Sequence, residues 1–455
     1  MIDLVIKNGR IVLPDQILKT SIAVANGKIV AIGSNASMVA SERVIDAKDN
    51  FILPGGIDTH DHTLVSNGFK GTKGISWGGT TTTIRFTRVQ FDELNAHLAE
   101  MSDFVVDHSF HVIPQNITPE TPDALDDIQK WIEFGIPSFK LFMVYENFAD
   151  ENTVYHAFQK CKKYKGLLTL HAENQSMVDY NRSLAVKEGN HDAIYHALTR
   201  PPLTEAAAVN LAVYLASYLR TPYMNMHLSI KEGVEIIREA RKNGAFIYGE
   251  TCPQYLCKTQ DALKGPNGIY YICTPPLRTQ KHIEALWNGL RDGTLSTVGS
   301  DHVSHRTTDK QGHPNFTEVP NGCPGHEFRL ALLFSEGVRK ERISMYRLSE
   351  IYSTNAAKIY GLYPRKGIIN VGSDADLVIF DPKMEKTATQ KELDDLGIAD
   401  SDWCAYEGTS FTGWPIVTIL RGRIQWENGE FKGKRGDGNF LKRHLSTELF
   451  QKIVA

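Results

Sequence analysis

The most informative residues of this 455-residue chain are histidines at the ends of short apolar segments. His60 and His62 are two positions apart, so in an extended strand both imidazoles lie on one side and can converge on one cation. Such a pair often arises by chance, and a single strand histidine such as His171 or His227 is more often a hydrogen-bonded core residue. Their occurrence in three separate segments, with Asp301 ending a fourth, predicts a metal centre built from several strands.

Lys140 lies in another of these segments and needs a different explanation. An ammonium group is repelled by cations and has no lone pair to offer them, so a lysine in a metal centre must be neutral or modified. Burial and nearby positive charge depress the pKa of an amine, and the neutral amine can react with carbon dioxide to give a carbamate. A carbamate resembles a carboxylate and can bridge two metal ions. The ordinary alternative is a strand lysine that reaches solvent, and the surrounding ligands favour the carbamate.

The segments that carry these residues alternate with stretches of helical length, which is the pattern of a parallel α/β protein. Eight apolar segments of β type are present, the number of strands that closes a (β/α)8 TIM barrel. They begin at Phe51, Thr80, Ser109, Ser138, Leu167, Tyr223, Ala245 and Leu295. Reactive groups of such a barrel collect at the C-terminal ends of its strands. The predicted ligands follow this rule, because their segments are the first, fourth, fifth, sixth and eighth.

The two ends of the chain are predicted to form a smaller β domain. Short β-type segments near the N-terminus contain the hairpin signals Asn8-Gly9 and Asn26-Gly27, and the same pattern returns near the C-terminus with Asn428-Gly429. The predicted division is a β-sandwich from residues 1–50 and 367–430, a TIM-barrel catalytic domain from 51–366, and a C-terminal tail, 431–455, that packs on a neighbouring subunit.

Composition favours a globular protein that acts on a small molecule. Hydrophobic residues make up 42% of the chain and charged residues 23%, and the net charge of −3 gives no general attraction to nucleic acid or anionic lipid. No uncharged apolar segment approaches the roughly 20 residues that a membrane span needs. Asp3 and Lys7 interrupt the apolar N-terminus, so we expect a cytoplasmic protein. The six cysteines form no CxxC pair, which disfavours a disulfide framework or a cysteine-based zinc site.

Longer motifs along the chain resemble those of the cyclic amidohydrolases, in their D-hydantoinase and dihydropyrimidinase branch. The resemblance extends over nearly the whole sequence. The motifs include GGIDTHDH at 55–62, GGTTT at 78–82, SFKLFMVY at 138–145, LHAEN at 170–174, GETCPQYL at 249–256, TVGSDH at 297–302, PNGCPG at 320–325 and KGIINVGSDADLVIFDP at 366–382.

The resemblance implies a binuclear metal-dependent hydrolase that opens a cyclic amide to an N-carbamoyl or half-amide acid. By this resemblance, one metal would be bound by His60, His62 and Asp301, the other by His171 and His227, and carboxylated Lys140 would bridge them together with a hydroxide. Zinc is the usual metal of such relatives. Manganese and cobalt would also suit nitrogen and oxygen ligands.

The resemblance also assigns the chemical steps. Tyr145 would donate a hydrogen bond to the developing oxyanion, and Asp301 would move a proton from the bridging water to the leaving ring nitrogen. Main-chain groups at Thr274 and Asn321 would bind the imide of the substrate. The family more often has serine at the first of these two positions, a change that main-chain contacts tolerate.

Several alternatives stay open. The loop after His62 is shorter than in hydantoinases, so hydantoins, dihydropyrimidines and other cyclic ureides or imides all remain candidate substrates. An allantoinase-like activity is an alternative. Dihydroorotase activity is disfavoured, because Thr63 and Leu64 occupy the place of an arginine that holds the substrate carboxylate in that enzyme. A non-catalytic scaffold is disfavoured because all six ligand positions are present. The resemblance further implies a homo-oligomer, a tetramer or a dimer.

Overall fold

The N-terminal strands build one part of a mixed sheet. A computed structural model of the chain describes residues 1–115, 125–145 and 148–450; the end of the predicted tail, 451–455, lies outside the described residues. The first strands are β1 (Ile2–Val12), β2 (Ile17–Ala25), β3 (Lys28–Ile32), β4 (Ser41–Asp46) and β5 (Phe51–Pro54). Strand β1 pairs antiparallel with β2 and parallel with both β4 and β5.

The two N-terminal Asn-Gly signals have different outcomes. Asn26 and Gly27, with φ of 51° and 74°, form the predicted turn between β2 and β3. The prediction of a turn at Asn8-Gly9 is wrong, because both residues lie inside β1. Asn8 has φ of 57°, and the pairing of β1 with β2 shifts register between Ile6 and Gly9. The positive φ of Asn8 is therefore part of a β-bulge within a continuous strand.

Eight parallel strands form a nearly closed barrel, as predicted. They are β6 (Gly56–Asp61), β7 (Thr80–Thr87), β8 (Asp107–Val112), β9 (Ser138–Phe142), β10 (Leu167–His171), β11 (Tyr223–Asn225), β12 (Ile247–Thr251) and β13 (Thr297–Val298). Their spatial order is their order in the chain. A parallel bridge between Asp61 and His302 brings the first and last strands together. The predicted first segment is divided, because Phe51–Pro54 pairs within the mixed sheet and the barrel strand begins at Gly56.

Helices occupy the connections between the barrel strands and the segment that comes after them. They are α1 (Gly68–Trp77), α2 (Leu94–Glu100), α3 (Ile128–Phe134), α4 (Glu151–Tyr164), α5 (Gln175–Lys187), α6 (Ile194–Leu198), α7 (Pro202–Leu219), α8 (Lys231–Lys242), α9 (Pro253–Cys257), α10 (Gln280–Asp292), α11 (Thr307–Lys310), α12 (Arg329–Leu332), α13 (Met345–Ser349), α14 (Asn355–Ile359) and α15 (Gln390–Asp395). The long connection between β10 and β11 carries α5, α6 and α7. Asn174 caps α5 by accepting a hydrogen bond from the main-chain N–H of Met177 at 3.0 Å. Among the described helices, none combines the length and apolarity needed to cross a membrane.

The C-terminal strands complete the mixed sheet. They are β14 (Leu377–Thr387), β15 (Ser410–Leu420), β16 (Arg423–Glu427) and β17 (Glu430–Phe431). Strand β14 pairs antiparallel with β5, so segments from both chain ends form one β domain, as predicted, and they do so within a single mixed sheet. Alternate apolar side chains such as Leu4, Ile6, Leu377 and Ile379 form the core of this sheet, separate from the main core around the barrel.

The tail after β17 covers the end of the barrel where the strands begin. Leu441 donates its main-chain N–H to the carbonyl of His108 at 2.7 Å. The fully buried Arg443 guanidinium donates to Ser109 Oγ and Ser138 Oγ, both at 2.8 Å, and to the carbonyl oxygen of Phe110 at 2.6 Å. These residues of the tail therefore bind their own barrel. The predicted contact of the tail with a neighbouring subunit stays a prediction.

Candidate metal centre and active site

One cleft at the C-terminal ends of the barrel strands brings together every residue that the sequence singled out. Its volume is about 460 Å³. The predicted site residues that line it are His60, His62, Lys140, Tyr145, His171, His227, Thr274, Asp301 and Asn321. The strand ends explain this convergence, because parallel strands of a barrel all finish at the same rim.

The first group of candidate ligands consists of His60, His62 and Asp301. The Nε2 atoms of His60 and His62 lie 3.1 Å and 3.5 Å from the same carboxylate oxygen, Oδ1 of Asp301. Burial alone would raise the pKa of the Asp301 carboxyl, but His60 and the hydrogen bonds from both imidazoles hold that pKa well below its usual value. The three side chains can thus present two imidazole nitrogens and an ionised carboxylate to one cation.

The second group surrounds Lys140 in the middle of β9. The rings of His171 and His227 are 4.3 Å apart between centroids, and the His227 ring is 5.1 Å from that of His60. Nζ of Lys140 and Nδ1 of His227 are buried and have no hydrogen-bond partner within the described residues. Burial lowers the pKa of Lys140 to about 8. Buried polar groups are normally satisfied, so these two free nitrogens fit a site that receives further atoms.

Tyr145 extends from the loop after β9 into the same cleft. Its ring lies 5.3 Å from the ring of His171, and its main-chain N–H donates to Oε1 of Gln175 at 2.6 Å. Thr274 and Asn321 line the same cleft, and the hydroxyl of Thr274 donates to Oδ1 of Asn321 at 2.8 Å. These contacts hold the residues predicted to bind substrate close to the candidate ligands.

Comparison with known proteins identifies the family. A model of the amidohydrolase family matches residues 51–425. The D-hydantoinase of Geobacillus stearothermophilus is 40% identical over 459 residues, covering 96% of this chain and 96% of the relative. The chain belongs to the amidohydrolase family, in its D-hydantoinase and dihydropyrimidinase branch.

Solved structures agree with this assignment. A crystal structure of a D-hydantoinase has a TM-score of 0.91 and 38% identity, covering 99% of this chain and 100% of the other. The dihydropyrimidinase from Brevibacillus agri NCHU1002 has a TM-score of 0.90 and 36% identity, covering 98% and 100%. The metal-capable side chains at the barrel rim fit the metal dependence of this family.

Two buried carboxylates that the sequence patterns did not single out orient the imidazoles of this amidohydrolase. Glu250 Oε1 lies 2.7 Å from Nδ1 of His60, which directs Nε2 of that ring toward Asp301. Glu173 Oε2 lies 2.7 Å from Nε2 of His171, which leaves Nδ1 of His171 for a metal. Partner carboxylates of this kind fix the tautomer and direction of a ligand. Both glutamates lie in family motifs, GETC and LHAEN. Histidines that bind metals are usually hydrogen-bonded to a carboxylate, and this general rule could have pointed to the two glutamates.

His111 shows how a structural histidine of this amidohydrolase differs from the candidate ligands. Its Nδ1 lies 2.8 Å from Ser138 Oγ and its Nε2 lies 3.2 Å from the carbonyl oxygen of Thr59. Both ring nitrogens are therefore occupied by the protein. Burial lowers the pKa of His111 well below its usual value, so the ring is neutral.

A second buried cluster lies behind the candidate ligands. The rings of His302 and His326 stack with centroids 3.7 Å apart and planes 14° apart. His302 Nε2 is 2.9 Å from Asp400, and His326 lies between Asp61, at 3.7 Å, and Glu327, at 3.5 Å. The lone pairs of stacked imidazoles lie in parallel planes and do not converge on one ion. This geometry favours an ionic network rather than a second metal site. The network supports Asp61, which lies between His60 and His62 in the sequence.

Three site residues adopt a left-handed backbone. The φ angles are 83° at Tyr145, 36° at His227 and 50° at Asp301. Residues other than glycine rarely adopt such angles, and they concentrate at functional sites where the surroundings enforce them. The main-chain N–H of Asp301 donates to the carbonyl of His60 at 2.8 Å, which helps to hold this turn.

Proposed function

We propose that this chain hydrolyses a cyclic amide, opening a hydantoin, a dihydropyrimidine or a related cyclic ureide or imide to the N-carbamoyl or half-amide acid. The proposal draws on the D-hydantoinase and dihydropyrimidinase relatives whose sequence and fold the chain shares. The observation that carries it is the buried Lys140 amine, which has no partner among the described residues and lies in a cleft lined by four histidines.

The residues present suit two divalent cations. We assign His60, His62 and Asp301 to one cation, His171 and His227 to the other, and carboxylated Lys140 to both. The lowered pKa of Lys140, about 8, gives the amine a neutral fraction that can combine with carbon dioxide. When bound, a pair of such cations polarises a carbonyl and supplies hydroxide near neutral pH. Zinc is the proposed metal, since imidazole and carboxylate ligands suit it.

Asp301 is the proposed proton carrier. Its carboxylate is ionised, which is the form that can accept a proton from the attacking water. It then delivers that proton to the ring nitrogen, because an amide anion is a poor leaving group. The buried surroundings of the Tyr145 hydroxyl raise its pKa, so Tyr145 keeps its proton and can donate a hydrogen bond to the carbonyl oxygen as negative charge develops.

Thr274 and Asn321 are proposed to bind the imide of the substrate through main-chain groups. Both residues line the cleft, and their side chains are hydrogen-bonded to each other, which fixes this part of the wall. Holding the ring in this way would align its carbonyl carbon with the nucleophile. This contact would speed the reaction by orienting the substrate rather than by stabilising charge.

A hydrolysis screen tests the proposal. Protein loaded with zinc, manganese or cobalt in the presence of bicarbonate is incubated with hydantoin, dihydrouracil, allantoin and succinimide, and ring-opened products are measured by liquid chromatography. We expect opening of hydantoin or dihydrouracil, and no opening by Lys140→Ala. Lys242→Ala, which alters an exposed lysine at the end of α8, is the control and should act as the unaltered protein does.

Two results would overturn the proposal: no ring opened under any metal, or full activity in Lys140→Ala. Preferential hydrolysis of allantoin would support the ureide hydrolase alternative instead.

We further propose a cytoplasmic homo-oligomer, a tetramer or a dimer. Light scattering at micromolar concentration tests the assembly, and a monomer would refute it.

A further inference from the structure

A second cavity opens beside the catalytic cleft. Its volume is about 580 Å³, and it shares four lining residues with the cleft: Arg88, Phe142, Tyr145 and Asn321. A ring held next to the candidate metal ligands would therefore extend its substituent past Tyr145 toward this space. We call this second cavity the side cavity.

Positive charge dominates the side cavity. Three arginines line it, Arg88, Arg182 and Arg200, whereas Asp179 is the one carboxylate among the described lining residues. The charge of Arg200 is balanced by Glu173, whose Oε2 lies 3.1 Å from the guanidinium. His196 also lines the cavity, but burial and Arg200 lower its pKa well below the usual value, so it adds no charge. The lining therefore carries an excess of positive charge.

Arg88 and Arg182 are the lining cations that form no salt bridge among the described residues, although Asp179 is near enough to Arg182 to attract its charge. Arg88 is exposed at the boundary of the cleft and the side cavity, with its guanidinium carbon 5.9 Å from the centre of the Phe142 ring. Arg182, on α5, donates one N–H to the carbonyl oxygen of Thr317 at 2.9 Å. In the described part of the chain, neither forms an ion pair with a carboxylate. Each guanidinium has five N–H donors, so most of these donors are free for a ligand.

Arg200 supplies a further unpaired donor in the wall of the side cavity. Arg200 is 3% exposed and lines the side cavity, and its Nε has no hydrogen-bond partner within the described residues. A buried guanidinium nitrogen without a partner is costly, unless a ligand or water supplies an acceptor. The cavity wall thus offers donors at two depths, with Arg88 at the mouth and Arg200 below.

We propose that this amidohydrolase prefers ring substrates whose substituent carries a carboxylate, and that Arg88 and Arg182 bind that carboxylate. The inference rests on the proposed ring-opening function and specifies its substrate class. Guanidinium groups match the planar geometry of a carboxylate and bind it with two parallel hydrogen bonds. Arg88 and Arg182 determine specificity and take no part in the chemical step.

The test compares two substrates that differ only in charge. Racemic hydantoin-5-acetic acid and its neutral amide, hydantoin-5-acetamide, have nearly the same shape, and kcat/KM is measured for both, with unsubstituted hydantoin as a reference. We expect the acid to be preferred over the amide by about tenfold at low salt. Added salt should reduce kcat/KM for the acid and leave the amide unchanged, since screening weakens exposed charge pairs.

Substitutions assign the preference to residues. Arg88→Gln and Arg182→Gln should each lower the acid-to-amide ratio by about fivefold, whereas Arg88→Lys should lower it less, because lysine keeps the charge but not the paired hydrogen bonds. Arg291→Gln, which alters an exposed arginine at the end of α10, is the matched control and should keep the full ratio.

The outcomes separate this inference from the function on which it rests. Hydrolysis of hydantoin and the amide without preference for the acid would refute the inference and leave the proposed function standing. An unchanged ratio in both Arg88→Gln and Arg182→Gln would also refute it. If none of the three rings were opened, the proposed function would be wrong and the inference with it.

Discussion

Replacing Glu250 should weaken metal binding although this residue is not a candidate ligand. Glu250 is fully buried, and its Oε1 lies 2.7 Å from Nδ1 of His60. Its other oxygen accepts hydrogen bonds from the hydroxyls of Thr59 and Thr297. Removing the carboxylate frees the His60 ring to rotate or to change tautomer, so Nε2 would no longer face the metal position beside Asp301.

The size of the effect can be estimated from these contacts. Loss of a carboxylate that orients a ligand histidine typically reduces metal affinity by about 10- to 100-fold. Glu250→Gln keeps one oxygen as an acceptor, and we expect about a tenfold loss, or ~1.4 kcal/mol. Glu250→Ala also leaves His60 and Thr59 with buried unsatisfied donors, and we expect a loss of about 100-fold.

Competition with a chromophoric zinc chelator measures this affinity. Glu239→Gln alters an exposed glutamate on α8 and serves as the control for the charge change. Thermal unfolding of the metal-free variants separates loss of affinity from loss of folding. If Glu250→Gln and Glu250→Ala both bound zinc as tightly as Glu239→Gln, the proposed role of Glu250 would be wrong.

Three further predictions concern chemistry, metal loading and stability. Tyr145→Phe should lower kcat by about 100-fold with little change in KM, because the lost hydrogen bond serves the transition state; steady-state kinetics checks this. Removing the metal with a chelator should abolish hydrolysis. If Lys140 is carboxylated, activity should return on adding zinc only when bicarbonate is present, and measuring the recovered activity with and without bicarbonate checks this. Arg443→Met should lower the free energy of unfolding by ~1–3 kcal/mol, because the buried carbonyl of Phe110 loses its donor. Urea denaturation measures this change, and an unchanged midpoint would contradict the prediction.

The sequence was most informative where local pattern and tertiary structure agree. The barrel strands are short buried segments separated by stretches of helical length, and strand polarity alone places His171 and Asp301 at the same rim. The barrel, the β domain from both chain ends and the convergence of the candidate ligands could therefore be predicted. His60 lies in β6 and His62 directly after its end, and their spacing of two was sufficient to predict that both rings lie beside the same oxygen of Asp301.

Features that depend on distant contacts could not be predicted. Asn8-Gly9 has the same sequence as the turn at Asn26-Gly27, but β1 pairs with β2 on both sides of Asn8-Gly9 and stays one continuous strand. The segment from Phe51 runs without a break in its β pattern, and only its pairing with β14 shows that it belongs to two sheets. The left-handed angles at His227 and Asp301 could not be predicted, because aspartate and histidine adopt such angles more often than most residues but still seldom, and the surrounding fold decides where.

The most direct test of the metal centre is a crystal structure of metal-loaded protein with anomalous diffraction data at the zinc edge. We expect two anomalous peaks among His60, His62, Lys140, His171, His227 and Asp301, and electron density that continues beyond Nζ of Lys140. Absence of any peak at this position, or a single peak with an unmodified Lys140, would contradict the proposed binuclear centre.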